Sequence, residues 1–196
     1  MVKTKDIEEF LDKEGMPKIP FCDIADQHKN IKSDIEAYNY DRVKEMLAGA
    51  RCESADALYL KRHVYLFEFK TGFATEKTDA NTNTHKENLK LKIRLKAYES
   101  LALLEKLLIP AIGDGELSSK TQKVYVAVVD AQKIPMQAYA DVLRKKSGKE
   151  PSFCHDIFQN SLLIYGKEVK GGKKLFYDRV DVWYDFEFDD KIQKLA

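Results

Sequence analysis

A chain of 196 residues, 44% apolar and 33% charged with a formal net charge of +1, can bury a sizeable core and has an ordinary globular balance. No apolar run approaches the roughly 20 residues that a membrane-spanning helix needs. The opening MVKTKDIEEFLDKEG is charged throughout, unlike a signal peptide, so a single cytosolic domain over 1–196 is expected.

In chain order, a short helix is expected over 4–14, stopped by Gly15 and by Pro17 and Pro20. Ile31, Ile35, Tyr38, Val43, Met46 and Leu47 recur at helical spacing, which predicts an amphipathic helix over about 30–49 ending at Gly49. Two short apolar runs follow, 55–60 and 64–69. Lys61-Arg62-His63 separates them, so they read as the strands of a tight hairpin with His63 exposed at its tip. The polar stretch 71–85, rich in Thr and Asn, is expected to be a loop. A long helix should span about 86–108, with Leu91, Leu95, Tyr98, Ala102 and Leu104 or Glu105 along it and Pro110 as its stop.

The run QKVYVAVV over 122–129 is the best strand in the sequence, apolar almost throughout as in a strand covered on both faces. Helices are expected at 135–146 and 151–159, then strands at 161–165, 175–177 and 180–188, with Lys170-Gly171-Gly172-Lys173 as a turn. Trp183 reads as core or interface. This order predicts an α/β architecture with a mixed sheet flanked by helices.

Charge is unevenly spread. Nine Lys and Arg stand against four acids between Lys61 and Lys96, while 1–50 and 178–190 lean acidic, a pattern compatible with a local phosphate-binding face. The cysteines, Cys22, Cys52 and Cys154, are odd in number and widely spaced, which argues against a disulfide framework and a zinc ribbon. Cys154 and His155 alone do not make a four-ligand metal site.

One segment carries chemistry: Ser54 to Lys70, SADALYLKRHVYLFEFK. Residues two apart on a strand share a face, so Glu68 and Lys70 project together while Phe67 and Phe69 point the other way. A carboxylate inside an apolar strand must be paired, hydrogen-bonded or bound to a cation. In a hairpin Asp56 can come near Glu68, and two close carboxylates repel unless a cation sits between them. Mg²⁺, or Mn²⁺, suits such a site, since it takes few carboxylate oxygens and keeps several waters. The Lys70 ammonium beside it could orient water or stabilise charge on a phosphate.

At these residues the chain resembles the PD-(D/E)xK nuclease superfamily, with Asp56 as the first acid, Glu68 as the second and Lys70 as the lysine. The expected helix over 30–49, the hairpin, the helix over 86–108 and the strand over 122–129 follow that superfamily's order, so the resemblance covers about 30–130. Glu68-Phe69-Lys70-Thr71-Gly72 is similar to the recombination-exonuclease subgroup, as is Lys96-Ala97-Tyr98, though that subgroup usually has Gln where Lys96 stands. No proline precedes Asp56, and the iron–sulfur cysteines of some relatives are missing.

The resemblance implies a restriction-endonuclease-like core and an Mg²⁺-dependent nuclease acting on DNA, with Asp56 and Glu68 as metal ligands and Lys70 assisting. It also implies an acid from the first helix, for which Glu45 is the candidate and Glu36 the rival. On the second helix, Lys92 and Lys96 share a face and could contact a DNA backbone, or Lys96 could support a water at the metal. The alternative is a catalytically inactive nuclease-fold module that binds nucleic acid or a partner. Residues after about 131 carry no assignable motif; completing the sheet, forming a homodimer interface and choosing the substrate are all open to them.

Overall fold

The computed structural model describes residues 1–49, 52–71, 82–130 and 176–196, with side chains in the third stretch from 91 onward. Helix α1 spans Thr4–Lys13, strand β1 Lys18–Pro20 and the single turn α2 Phe21–Ile24. Strand β2 (Glu36–Asn39) leads directly into α3 (Tyr40–Ala48), and the hairpin β3 (Ala57–Leu60) and β4 (Val64–Lys70) follows. A long helix α4 (Thr82–Leu103) runs through a π-helical turn (Leu104–Leu108) into α5 (Ile109–Ile112). Then come β5 (Lys123–Val129), β6 (Arg179–Tyr184) and α6 (Asp185–Gln193).

The six strands form one mixed sheet in the order β1-β2-β3-β4-β5-β6. β1 to β4 are antiparallel neighbours; β4, β5 and β6 are parallel. A parallel step needs a crossover, and α4 with its continuation supplies the one between β4 and β5. Apolar side chains pack on both faces of this α/β sheet. Tyr38, Leu58, Leu66, Tyr125 and Val129 face Ile7, Leu11, Val43, Ile93, Ala97 and Leu101 of the helices on one side. Tyr59, Phe67, Val126, Val128 and Trp183 face Phe21, Ile31, Phe188 and Ile192 on the other. β5 is therefore covered twice, which is why its sequence is apolar almost throughout.

The structure corrects several expected elements. The helix predicted over 30–49 is a strand followed by a nine-residue helix, α3. Ile31 and Ile35 belong to one face of the sheet and Tyr38 and Val43 to the other, so their helical spacing is coincidental. The Asn39 side chain accepts a hydrogen bond from Arg42 N at 3.2 Å and caps α3, which ends at Gly49 with φ +66°.

In α4 the first part of the predicted stripe points outward, with Leu91, Leu95 and Tyr98 58%, 46% and 50% exposed; its Ala102 is half-buried and its Leu104 buried, and Ile93, Ala97, Leu101 and Leu108 are buried beside them. Both stripes repeat at helical spacing, so periodicity could not choose between them. Pro110 does not stop the helix. It falls directly after the π-helical turn, at the second residue of α5, and the chain leaves the helix at Gly113.

The helix α4 already begins at Thr82, inside the predicted loop 71–85, of which 72–81 lie outside the described residues. The strand predicted over 180–188 stops at Tyr184, and α6 takes over with an acidic first turn and buried Phe188 and Ile192 four residues apart. Tyr177 is buried but not in a strand. The elements predicted at 135–146, 151–159 and 161–165 and the turn at 170–173 lie outside the described residues.

Candidate functional site

The β3–β4 hairpin pairs Ala57 with Phe67 and Leu58 with Leu66, which brings Asp56, just ahead of β3, level with the far end of β4. The Asp56 backbone is held on both sides, its N–H donating to Phe67 O at 2.8 Å and its carbonyl accepting from Tyr40 N at 3.0 Å. Its side-chain Oδ2 accepts from Phe69 N at 2.5 Å, which fastens the carboxylate to β4. Strand parity places Glu68 and Lys70 on the face that carries Leu66, beneath α4, opposite Ala127 and Val129 of β5.

Glu68 is fully buried. Lys96 of α4 reaches down to it, with Nζ 2.9 Å from Oε1 and 3.0 Å from Oε2, and 3.6 Å from Asp56 Oδ1. Lys70 Nζ lies farther off, 3.8 Å from Glu68 Oε1, and is partly exposed. Glu68 Oε1 makes no aligned hydrogen bond among the described residues despite the nearby ammonium. Two carboxylates and two lysines from β3–β4 and α4 thus converge.

The position of Lys96 follows from how α4 is fastened. Ser100, one helical turn on and buried, donates its hydroxyl to Lys96 O at 2.6 Å and accepts from Ala55 N at 2.7 Å. Tyr40 OH donates to Ser100 O at 3.0 Å, and Tyr177 OH to Ala97 O at 2.6 Å. These bonds tie α4 to the strand lead carrying Asp56, to α3 and to the segment before β6.

Burial first, and then the neighbouring Asp56 carboxylate, push the Glu68 carboxyl up to about 8 against the pull of Lys96 and Lys70. Asp56 is also raised, mainly by burial, with Lys96 and the Phe69 N–H opposing. Burial alone would lower Lys96, but Glu68 and Asp56 outweigh it and hold the ammonium charged above its usual range. The raised lysine marks a strong carboxylate field, and the raised Glu68 marks how much burial works against that field. The close contacts of Lys96 with both Glu68 oxygens identify it as the cation this carboxylate pair already has.

Among the predicted residues, Asp56, Glu68, Lys70 and Lys96 come together. Glu45 does not join them: its carboxylate is exposed and bonded to Arg42 at 3.0 Å. Glu36 is exposed on β2, away from the pair. Lys92 is exposed one turn before Lys96 on α4. His63 accepts from Gln122 N through Nδ1 at 3.1 Å, and Trp183 is buried in the sheet.

Two contributors were missed. Asp41, on α3, accepts from Lys44 Nζ and Ser54 Oγ at 2.6 Å each. Burial raises its carboxyl, but those donors outweigh that and leave it below its usual value. It acts electrostatically on both Asp56 and Lys96. Ser100 is the other, and its only sequence signal was a small polar residue four positions after Lys96 on a helix.

Asp56 and Glu68 are the residues that could hold a divalent cation. Glu68 Oε1, buried without an aligned donor, is the atom such an ion would satisfy. No group of three or more His, Cys, Asp or Glu able to hold a metal occurs among the described residues. Two carboxylates are too few donors for a closed structural site, and an ion held by them would have to keep most of its waters. No protein-family model, curated protein or solved structure matches the chain.

Proposed function

We propose that the chain is a divalent-metal-dependent nuclease with a restriction-endonuclease-like core, acting on DNA. The observation that carries this reading is the convergence of Asp56 and the fully buried Glu68 at the end of a β hairpin, with Lys70 on the same face. Burying a carboxylate beside a second one is costly and has no packing benefit, so the arrangement points to chemistry. The order of a helix, a hairpin, a crossover helix and a parallel strand from α3 to β5 supports it. Further support comes from the basic surplus between Lys61 and Lys96.

Asp56 and Glu68 would hold Mg²⁺ or Mn²⁺, which when bound supplies Lewis acidity toward a phosphodiester. Asp56 is kept in place by the Phe69 N–H, and Glu68 by its strand. The Lys70 ammonium, partly open to solvent, neutralises charge that gathers on the phosphate. Lys92, exposed one turn before Lys96, extends the positive face along α4 toward a DNA backbone.

Cleavage of single- and double-stranded DNA in Mg²⁺ or Mn²⁺ tests the reading. Lys70→Ala and Glu68→Gln are expected to reduce the rate by about a hundredfold or more, as removal of a charge-stabilising group does. Equal cutting by wild type and both variants would assign the activity elsewhere.

A second reading has its own observation. Lys96 already neutralises the pair that a metal would need, as expected of a nuclease-fold module that binds nucleic acid or a partner without cutting it. Binding of DNA without cleavage under any metal condition favours this alternative.

A further inference from the structure

The metal position proposed above is where Lys96 sits, and this inference rests on that reading. We propose that Lys96 is a displaceable resident cation, so that a divalent ion enters only as the ammonium withdraws, and that Lys96 sets how weakly the site binds metal. Its Nζ lies 2.9 and 3.0 Å from the two Glu68 oxygens and 3.6 Å from Asp56 Oδ1. An ion shared by both carboxylates needs oxygens that this ammonium already occupies. An ammonium and a divalent ion a few ångströms apart in a buried pocket repel strongly, so the two do not share the pair.

Lys70 is not in the same position. It contacts Glu68 Oε1 only at 3.8 Å, with no ion pair to Asp56 among the described residues, and leaves the space between the carboxylates open. Lys96 instead comes from another element, α4, and among the described residues its side chain alone reaches both acids. A four-carbon stem can swing its head group outward while the helix stays in place. Once withdrawn, that charge lies toward solvent, away from the ion and among the basic residues of 61–96, where a phosphate would meet it.

Lys96→Met keeps the length and removes the charge; Lys96→Gln keeps a polar head without it. The affinity of Mn²⁺ and Ca²⁺ for wild type and both variants is measured by calorimetry at pH 8.5, with Glu68→Gln as the control that locates the site. Both Lys96 variants are expected to bind about tenfold or more tightly than wild type, with binding lost in Glu68→Gln. Each should also melt lower than wild type without metal and regain stability when metal is added.

Equal or weaker binding in the variants, with Glu68-dependent binding in wild type, overturns the displacement and leaves the metal-nuclease reading standing. Absence of binding in every protein overturns both. Variants that stay unfolded with and without Mn²⁺ also overturn the displacement, since Lys96 would then be a structural charge that metal cannot replace.

Discussion

At Glu68 one carboxyl group meets opposed influences. Burial and the Asp56 carboxylate favour its protonated form, while Lys96 and Lys70 favour the ionised one. With the group at about 8 in the folded protein and near 4.5 when unfolded, the native state holds a proton through that window that the unfolded chain has lost. The contribution of this group to stability therefore falls as pH rises from about 4.5 to about 8. Asp41 works in the opposite sense: its carboxyl is held low, so its contribution is present at neutral pH and is lost in acid. Denaturant titrations of wild type and Glu68→Gln at several pH values separate the two. The variant should be flatter between pH 5 and 8 and should keep the acid limb. An unchanged slope in Glu68→Gln would remove Glu68 as its source. The parity of Glu68 and Lys70 and the approach of Asp56 were legible in the sequence, because a strand repeats every two residues. Which acid of α3 stands near the pair was not, since that depends on where the helix begins.

Among the elements, α3 and α4 show what decides the outcome when sequence periodicity is ambiguous. The strand β2 takes Tyr38 into the sheet opposite Leu58, and Asn39 then turns the chain into α3 by capping it. Asn39→Ala should cost about 1 kcal/mol, read as a lower denaturation midpoint, with DNA cleavage little changed because the cap is exposed and outside the carboxylate cluster. Asp41 stands in the first turn of α3, bonded to Ser54 beside the site, whereas Glu45 lies one turn farther along and pairs with Arg42. In α4, two apolar stripes were available, and the sheet took Ile93, Ala97 and Leu101. Lys96 faces the site because it neighbours Ala97 on the inward side, whereas Leu95 and Tyr98 are turned out. Tyr98 meets the Phe176 ring edge-on at 5.8 Å. Residue spacing along one helix says nothing about which side a sheet will cover, so this part of the site waited on tertiary structure.

For the molecule as a whole, the sheet has one apolar layer on each face, and the site lies on the α4 side of it. Phe67 belongs to the opposite layer, where it packs edge-on against Phe21, Trp183 and Phe188 at centroid distances of 5.2, 5.5 and 5.6 Å. Phe67→Ala should cost about 3–5 kcal/mol, seen as a lower melting temperature. Because Phe67 is the backbone acceptor for Asp56 N–H, metal affinity of the folded variant tests whether the layers are independent: it should stay within about twofold of wild type. The mixed sheet and its α/β class were readable from the strong strands over 64–69 and 122–129 and the helix between them. The β1–β2 edge was not, because strands of three and four residues carry too little pattern.

The fastening of α4 by Ser100, Tyr40 and Tyr177 has a kinetic consequence. Three hydrogen bonds link Ala97 and Ser100, just after Lys96 on α4, to separate parts of the fold, so the helix cannot slide or roll there without breaking them together. Rearrangement at Lys96 is thus confined to torsions of its own side chain, without the microsecond-to-millisecond step of a helix shift. If the site takes a divalent ion as proposed, it should fill in a single exponential phase on rapid mixing, at a rate that rises linearly with ion concentration and with no slow step that saturates.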